Sequence, residues 1–267
     1  MDYLTKDILE EKPRSPTSHK GEFGRVLVIA GSEDFAGAEI LTALSCEAIL
    51  RVGADLSIAC CPERVAWLVN NKLPDAITLK FSGENFRSEH FDRIKEHLEK
   101  SDVLLIGPGL SSDSSDFARK VITSTNKPKV IDAEAISSVS LDETEDAVFT
   151  PHEKELDKLL TQSKLSKDEL QQNLNGNVVL KKGKIDNIIS ESRTAKNKTG
   201  NAFMTKGGTG DVLAGMVAGF IGQGYSLFES ACKAAYLNGA VGDYLKEERG
   251  KTFIASDIVE NIHEIYK

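Results

Sequence analysis

The chain is 267 residues long, 40% hydrophobic and 28% charged, with 33 Lys and Arg against 41 Asp and Glu for a formal net charge of −8. That balance argues against a dedicated nucleic-acid or anionic-membrane surface, and the length suffices for a large core without disulfide or metal staples. The four cysteines, Cys46, Cys60, Cys61 and Cys232, form no C-x-x-C pair and have no histidine at metal spacing, so they read as buried thiols of a reducing cytoplasm.

Residues 1–24 are polar, carry Pro13 and Pro16, and lack the apolar core of a signal peptide. They read as a loosely held arm or lid. From residue 25, short apolar runs (25–30, 55–60, 76–81, 102–106, 129–131, 147–149 and 177–180) alternate with helix-period segments at 38–51, 62–69, 86–99 and 115–124. Runs such as Val26-Leu27-Val28-Ile29 are apolar at every position, which suits parallel strands covered on both faces. The spacing therefore predicts an α/β fold with a doubly wound, mostly parallel central sheet flanked by helices. Residues 161–175 read as a solvated helix or loop, and residues 181–189 as a hairpin-like segment. After residue 196 helices dominate, at 209–223, 226–246 and 255–266. The longest apolar candidate, residues 212–222, is too short to span a bilayer. One domain over 1–267 is expected, with 1–20 as an N-terminal arm.

The segment most suggestive of chemistry is Lys206-Gly207-Gly208-Thr209-Gly210-Asp211, at the start of an apolar helix. Glycines there let backbone approach a ligand, and the free N–H groups of the first turn form an anion cradle. The same pattern also serves a plain helix N-terminus with a capping acid. Beside bound phosphate, Asp211 suits the base role in phosphoryl transfer. The helix dipole favours its charged form, which weakens it as a base and shifts its expected role towards orienting a hydroxyl. No complete P-loop or G-x-G-x-x-G is present, because Leu245 stands at the first P-loop position, and Ser112 and Leu213 end the two glycine pairs.

Three loops after strands are further candidates, since ligands of open α/β sheets bind at the strands' carboxyl ends. They are Gly31-Ser32 through Gly37-Ala38, Gly107-Pro108-Gly109, and Thr150-Pro151-His152-Glu153. Each also makes sense as an ordinary turn. The last reads as a capping box with Pro151 at the first helical position and Glu153 as its acid, leaving His152 and Glu155 on one helix face. The basic turn Lys181-Lys182-Gly183-Lys184 either meets a nucleotide phosphate or is an exposed hairpin.

Taken in order, Gly24-Arg25-Val26-Leu27-Val28-Ile29-Ala30-Gly31-Ser32 with Gly37-Ala38, Gly107-Pro108-Gly109-Leu110, Thr150-Pro151-His152-x-x-Glu155, Asn197-x-Thr-Gly-Asn201, Gly207-Gly208-Thr209-Gly210-Asp211 and Ala255-Ser256-Asp257 resemble the NAD(P)H-hydrate dehydratases of the ribokinase-like superfamily. The resemblance implies a stand-alone, ADP-dependent dehydratase that repairs the S-epimer of hydrated NADH or NADPH by phosphorylating the C6 hydroxyl and eliminating phosphate, with ATP as the other donor and Mg²⁺ as cofactor. It makes Asp211 the base or orienting group. It assigns Ala38, Gly109, His152 and Asp211 to the hydrated cofactor, and Lys181, Lys182, Gly183, Lys184, Ile185, Gly208, Thr209 and Gly210 to the adenine nucleotide. Glu155 would place Mg²⁺ through water. A separate epimerase as functional partner and a homo-oligomeric assembly are also implied.

The chain departs from the family pattern at Ala202-Phe203, Thr205-Lys206 and Glu134, and Lys181-Lys182-Gly183 leaves the basic turn's register open by one residue. Lys206 either adds positive charge beside the phosphates or faces solvent. Alternative readings are a kinase of a small hydroxymethyl vitamin precursor on the same fold, or a non-catalytic nucleotide-binding protein.

Overall fold

The computed structural model describes residues 2–33 and 37–267, with the backbone alone at Asp2, Ala38 and Glu39. Its strands are β1 (Asp2–Tyr3), β2 (Arg25–Ile29), β3 (Leu56–Pro62), β4 (Ile77–Phe81), β5 (Val103–Ile106), β6 (Lys129–Ile131), β7 (Ala147–Phe149), β8 (Val178–Lys181), β9 (Asp186–Ile189) and β10 (Thr194–Asn197). They form one sheet in the order β1-β10-β9-β8-β7-β6-β5-β2-β3-β4. All neighbours are parallel except β8 with β9 and β9 with β10. The chain moves outward from β2 to β4, then returns to β2's other side at β5, so the sheet's switch point lies between β2 and β5.

The helices are α1 (Ala38–Arg51), α2 (Glu63–Lys72), α3 (Phe91–Glu99), α4 (Ser115–Thr123), α5 (Glu153–Ser163), α6 (Thr209–Gly222), α7 (Leu227–Arg249), α8 (Ala255–Glu260) and α9 (Ile262–Ile265). They cover both faces. Val26, Val28, Val103 and Leu105 point into a core shared with α1, α2, α6 and α7. Leu27, Ile29, Leu104 and Ile106 point into a second core with α3, α4 and α5. This double coverage explains why the central strands are apolar at every position. All seven strands expected from the sequence are present, within two residues at their ends.

Three expectations give way to a different arrangement. The N-terminal arm is docked rather than loose: β1 pairs with β10, Leu4 N–H donates to Lys196 O at 2.8 Å, Lys12 N–H to the Tyr225 hydroxyl at 3.0 Å, and Lys233 Nζ to Glu10 O at 2.6 Å. Tyr225 lies past the carboxyl end of α6, about 20 Å along that helix from its first turn, so the arm does not cover the glycine turn as a lid would. The segment 255–266 is two short helices, interrupted at Asn261. The segment 86–99 becomes an α-helix only at Phe91, after a 3₁₀ turn over Ser88–His90.

Candidate active site

Helix α6 is buried at every position from Val212 to Ile221, as expected of a helix apolar on all sides. It crosses α1 at close range: a Cβ on Gly215 would come 2.4 Å from Ser45 O, and one on Gly219 2.4 Å from Val52 Cγ2. Ser45 Oγ also donates to Asp211 O at 3.1 Å. These contacts set the first turn of α6 beside α1. Gly208 takes φ +94° at the N-cap, and a side chain there would meet Ala255 Cβ at 2.8 Å and Leu44 Cδ1 at 3.0 Å. Only glycine opens the helix at this angle. Thr209 Oγ1 donates to Met204 O and Lys206 O, both at 3.0 Å, which fixes the turn.

The ends of three adjacent parallel strands face this turn. Asp132 follows β6, Thr150 follows β7 and Lys182 follows β8. Thr150 Oγ1 donates to Asp132 Oδ1 at 2.6 Å, and Lys182 Nζ lies 3.0 Å from the same oxygen. Lys182 Nζ is also 4.0 Å from Glu155 Oε2 and 3.3 Å from the point a Cβ on Gly210 would occupy. The ammonium thus hangs directly over the glycine turn. Gly107 clears space for Asp132: a Cβ there would fall 1.8 Å from the Asp132 carbonyl oxygen.

Asp211, in the first turn of α6, has its carboxyl pushed up from 3.8 to about 7. Burial is the main cause, the Asp132 carboxylate adds to it, and Lys182 and the residue's own N–H oppose it, with Glu155 a further upward push. This reverses the expectation from the helix dipole alone. The dipole acts within one turn, whereas the loss of water and two carboxylates, Asp132 at the end of β6 and Glu155 in the first turn of α5, act together against the charge. Asp211 is therefore a stronger base than expected. Lys182 keeps its proton: burial works against its charge, but Asp132 and Glu155 raise its pKa overall.

Contacts separate the two lysines of the basic turn. Lys182 enters the cluster, while Lys181 Nζ pairs with Glu153 Oε2 at 2.5 Å on the outside. Gly183 N–H donates to Asp186 Oδ1 at 3.0 Å, and Lys184 and Ile185 are exposed. The capping box of α5 is shifted from the expected one. His152, not Thr150, is the N-cap: its Nδ1 accepts from Lys154 N–H and Glu155 N–H, and Glu155 Oε2 accepts from His152 N–H at 2.8 Å. Pro151 thus precedes the helix, and Glu153 is not the capping acid. It pairs instead with Lys181 and Lys167, which hold its carboxyl down at about 2. Glu155 Oε1 stands 3.3 Å from His152 Nε2, so these two residues are adjacent, as their spacing suggested.

Gly109 sits in a left-handed turn after β5 with φ +65°. Ala38 begins α1, with its side chain outside the described residues. Lys206 neither reaches the glycine turn's ligand face nor points freely to solvent: its Nζ donates to Lys251 O at 2.7 Å and to Phe253 O. The sequence reading offered the loop that begins at Thr150 as a candidate but assigned a role in the site to neither Thr150 nor Asp132, although each stands directly after a strand. Among the described residues no three His, Cys, Asp or Glu side chains form a metal cage. A cleft of about 250 Å³ lined by Lys12, Arg14, Gln223 and Tyr225 lies at the other end of α6 from Asp211.

The sequence matches the NAD(P)H-hydrate dehydratase family over residues 26–264. It is 35% identical over 276 residues to a bifunctional NAD(P)H-hydrate repair enzyme of Methanothermobacter thermautotrophicus, covering 97% of this chain and 53% of that one. It is 34% identical over 260 residues to an ADP-dependent (S)-NAD(P)H-hydrate dehydratase of Enterococcus faecalis, covering 92% and 86%. The fold matches the crystal structure of a ribokinase-like superfamily protein from E. faecalis with TM-score 0.85 and 29% identity, over 99% and 95% of the two chains. The chain spans about half the length of the archaeal relatives it matches.

Proposed function

Because the chain belongs to the NAD(P)H-hydrate dehydratase family, we propose that it restores NADH and NADPH from their S-hydrates, using ADP as phosphoryl donor and releasing AMP and phosphate. The observation that carries this reading is the joint placement of a base-strength carboxyl, Asp211, and a charged lysine, Lys182, at a glycine-opened helix N-terminus. The donor follows the name of the Enterococcus relative, with ATP as the alternative.

In the first step the C6 hydroxyl oxygen attacks the β-phosphorus of ADP and the bond to the bridging oxygen breaks, releasing AMP. The hydroxyl proton passes to Asp211, whose carboxyl near neutrality suits that transfer. The N–H groups of the Gly208, Thr209 and Gly210 turn and the Lys182 ammonium stabilise the charge spread over the transferring phosphoryl. In the second step the ring nitrogen's lone pair drives out phosphate from C6, and loss of the C5 proton restores the dihydronicotinamide. Ala38, Gly109 and His152 contact the hydrate in this reading.

The donor set fits a Mg²⁺ ion held mainly by phosphate and water oxygens, with Glu155 reached through water, since Mg²⁺ keeps several waters and needs few protein ligands. When bound it would neutralise phosphate charge. An epimerase activity is the functional partner proposed, consistent with the bifunctional names of the archaeal relatives. We place the enzyme in the cytoplasm as a homo-oligomer; among the described residues no helix is long and apolar enough to cross a membrane.

The product decides the reading. With hydrated NADH and ADP, the dehydratase releases inorganic phosphate together with NADH. Accumulation of a stable phosphorylated product from a hydroxymethyl vitamin precursor, with no NADH formed, would instead make the protein a small-molecule kinase.

A further inference from the structure

The Asp132–Thr150–Lys182 chain has a geometry that a surface ion pair lacks. Asp132's side chain is 3% exposed, and one carboxylate oxygen receives both the Thr150 hydroxyl at 2.6 Å and the Lys182 ammonium at 3.0 Å. Thr150 is itself fully buried. The backbone ladder continues past the strands at all three residues: Asp132 N–H donates to Ile106 O at 3.1 Å, Thr150 N–H to Ile131 O at 3.2 Å, and Lys182 N–H to Pro151 O at 2.8 Å. Directly after Asp132, Ala133 takes φ +48°, a left-handed conformation that a residue with a side chain adopts at a cost. The turn thus points the carboxylate at the ammonium, and the glycine at position 107 leaves room for the Asp132 backbone carbonyl, which a Cβ there would meet at 1.8 Å.

A lysine on a flexible four-carbon stem is a poorly placed point charge unless something holds it. We propose that Asp132 is a positioning residue for phosphoryl transfer: held by Thr150, its carboxylate tethers the Lys182 ammonium against the Gly208–Asp211 turn. The proposal rests on the function given above, and it goes beyond it by assigning work to a residue to which that reading gives no contact with ADP or hydrate. The tether has two opposed consequences. It fixes Lys182 for the transition state, which raises turnover, and it places a negative charge near bound phosphate, which weakens ground-state nucleotide binding.

Asp132→Asn keeps the shape and an oxygen for Thr150 while removing the charge. We expect turnover of hydrated NADH to fall by about 10- to 100-fold, while calorimetry shows ADP binding tighter by about 3- to 10-fold. In a Lys182→Met background the same substitution should leave turnover within about 2-fold, since nothing remains to tether, and should tighten ADP binding by a different factor than in the parent, where Asp132 also competes with phosphate for the ammonium. Damage to the fold alone would weaken ADP binding and lower turnover together, and that outcome overturns the proposal, as does an unchanged turnover. Should Asp132→Asn fail to fold, Thr150→Val loosens the tether and leaves the charge. It should cost about 3- to 10-fold in turnover at unchanged ADP affinity, and wild-type turnover would again overturn the proposal. If the wild-type protein proves inactive on the hydrate, the reading of function fails, yet the ADP titrations still decide the tether: an effect of Asp132→Asn on ADP affinity that differs between the parent and Lys182→Met backgrounds supports it, and equal effects in the two backgrounds overturn it.

Discussion

Replacing Asp211 by Asn separates its chemical and structural consequences. In the native protein this carboxyl is raised from 3.8 to about 7 by burial and by the Asp132 and Glu155 carboxylates, against the pull of Lys182. At about 1.4 kcal/mol for each tenfold change in proton affinity, the raise corresponds to at most about 4 kcal/mol of destabilisation once the group is ionised. Because Asp211 retains some exposure to water, we expect about 1–3 kcal/mol. The sign follows from the raised folded-state value. Below about pH 4 the carboxyl is protonated in both folded and unfolded chains and the penalty is absent. The penalty grows as pH rises and is complete above about pH 7.

Asn carries no charge at any pH, so Asp211→Asn should gain about 1–3 kcal/mol at pH 8 relative to the parent and nothing near pH 4. For a chain of this size that is roughly 2–4 °C in Tm per kcal/mol. Turnover at pH 8 should meanwhile fall by about 10²- to 10⁴-fold, with ADP binding retained. Urea unfolding at both pH values measures the stability, and phosphate release measures the turnover. A stability gain that is equal at both pH values, or a loss at pH 8, would refute the electrostatic reasoning. Turnover near that of the parent would refute the base assignment.

Other substitutions test neighbouring inferences. Lys182→Met should weaken ADP binding by about 10-fold or more, whereas Lys181→Ala, which only releases an exposed glutamate, should stay within about 2-fold; calorimetry with ADP on both variants checks this, and the reverse order would show the register misread. Gly215→Ala forces a methyl into Ser45 O and should destabilise the fold by about 1–3 kcal/mol in urea unfolding, by parting α6 from α1. Lys206→Met should lower Tm while leaving ADP affinity unchanged, because its ammonium ties down Lys251 and Phe253 rather than facing the phosphate turn. A thermal melt and an ADP titration on the same sample distinguish this from a role in binding.

The central strands were legible because double coverage leaves a local record: Val103-Leu104-Leu105-Ile106 has no polar position to mislead. Helix α6 was legible for the same reason, and Gly208 for its place before an apolar run. Strands β1 and β10 were not legible. The first is two residues long, and Thr194-Ala195-Lys196-Asn197 has no apolar alternation, so pairing rather than composition makes each a strand. The α5 cap moved by two residues because a histidine ring nitrogen accepts N–H groups as readily as a hydroxyl, a possibility that composition rules for caps pass over.

The site's electrostatics were hidden for a deeper reason. The dipole at Asp211 is a property of one turn, visible in the sequence, but the charges that outweigh it come from residues that only the sheet order brings together. Thr150 meets Asp132 across 18 positions and Lys182 meets it across 50. Each stands at a strand's carboxyl end, which marks it as a candidate; that β6, β7 and β8 lie side by side is what makes the three a unit.

The most direct test of the account mixes the purified protein with hydrated NADH and ADP, and follows the return of dihydronicotinamide absorbance alongside AMP and inorganic phosphate. The account predicts that the three products appear in equal amounts and that Asp211→Asn slows all of them together by about 10²- to 10⁴-fold. No NADH with either ADP or ATP, in a protein that binds the nucleotide, would contradict it.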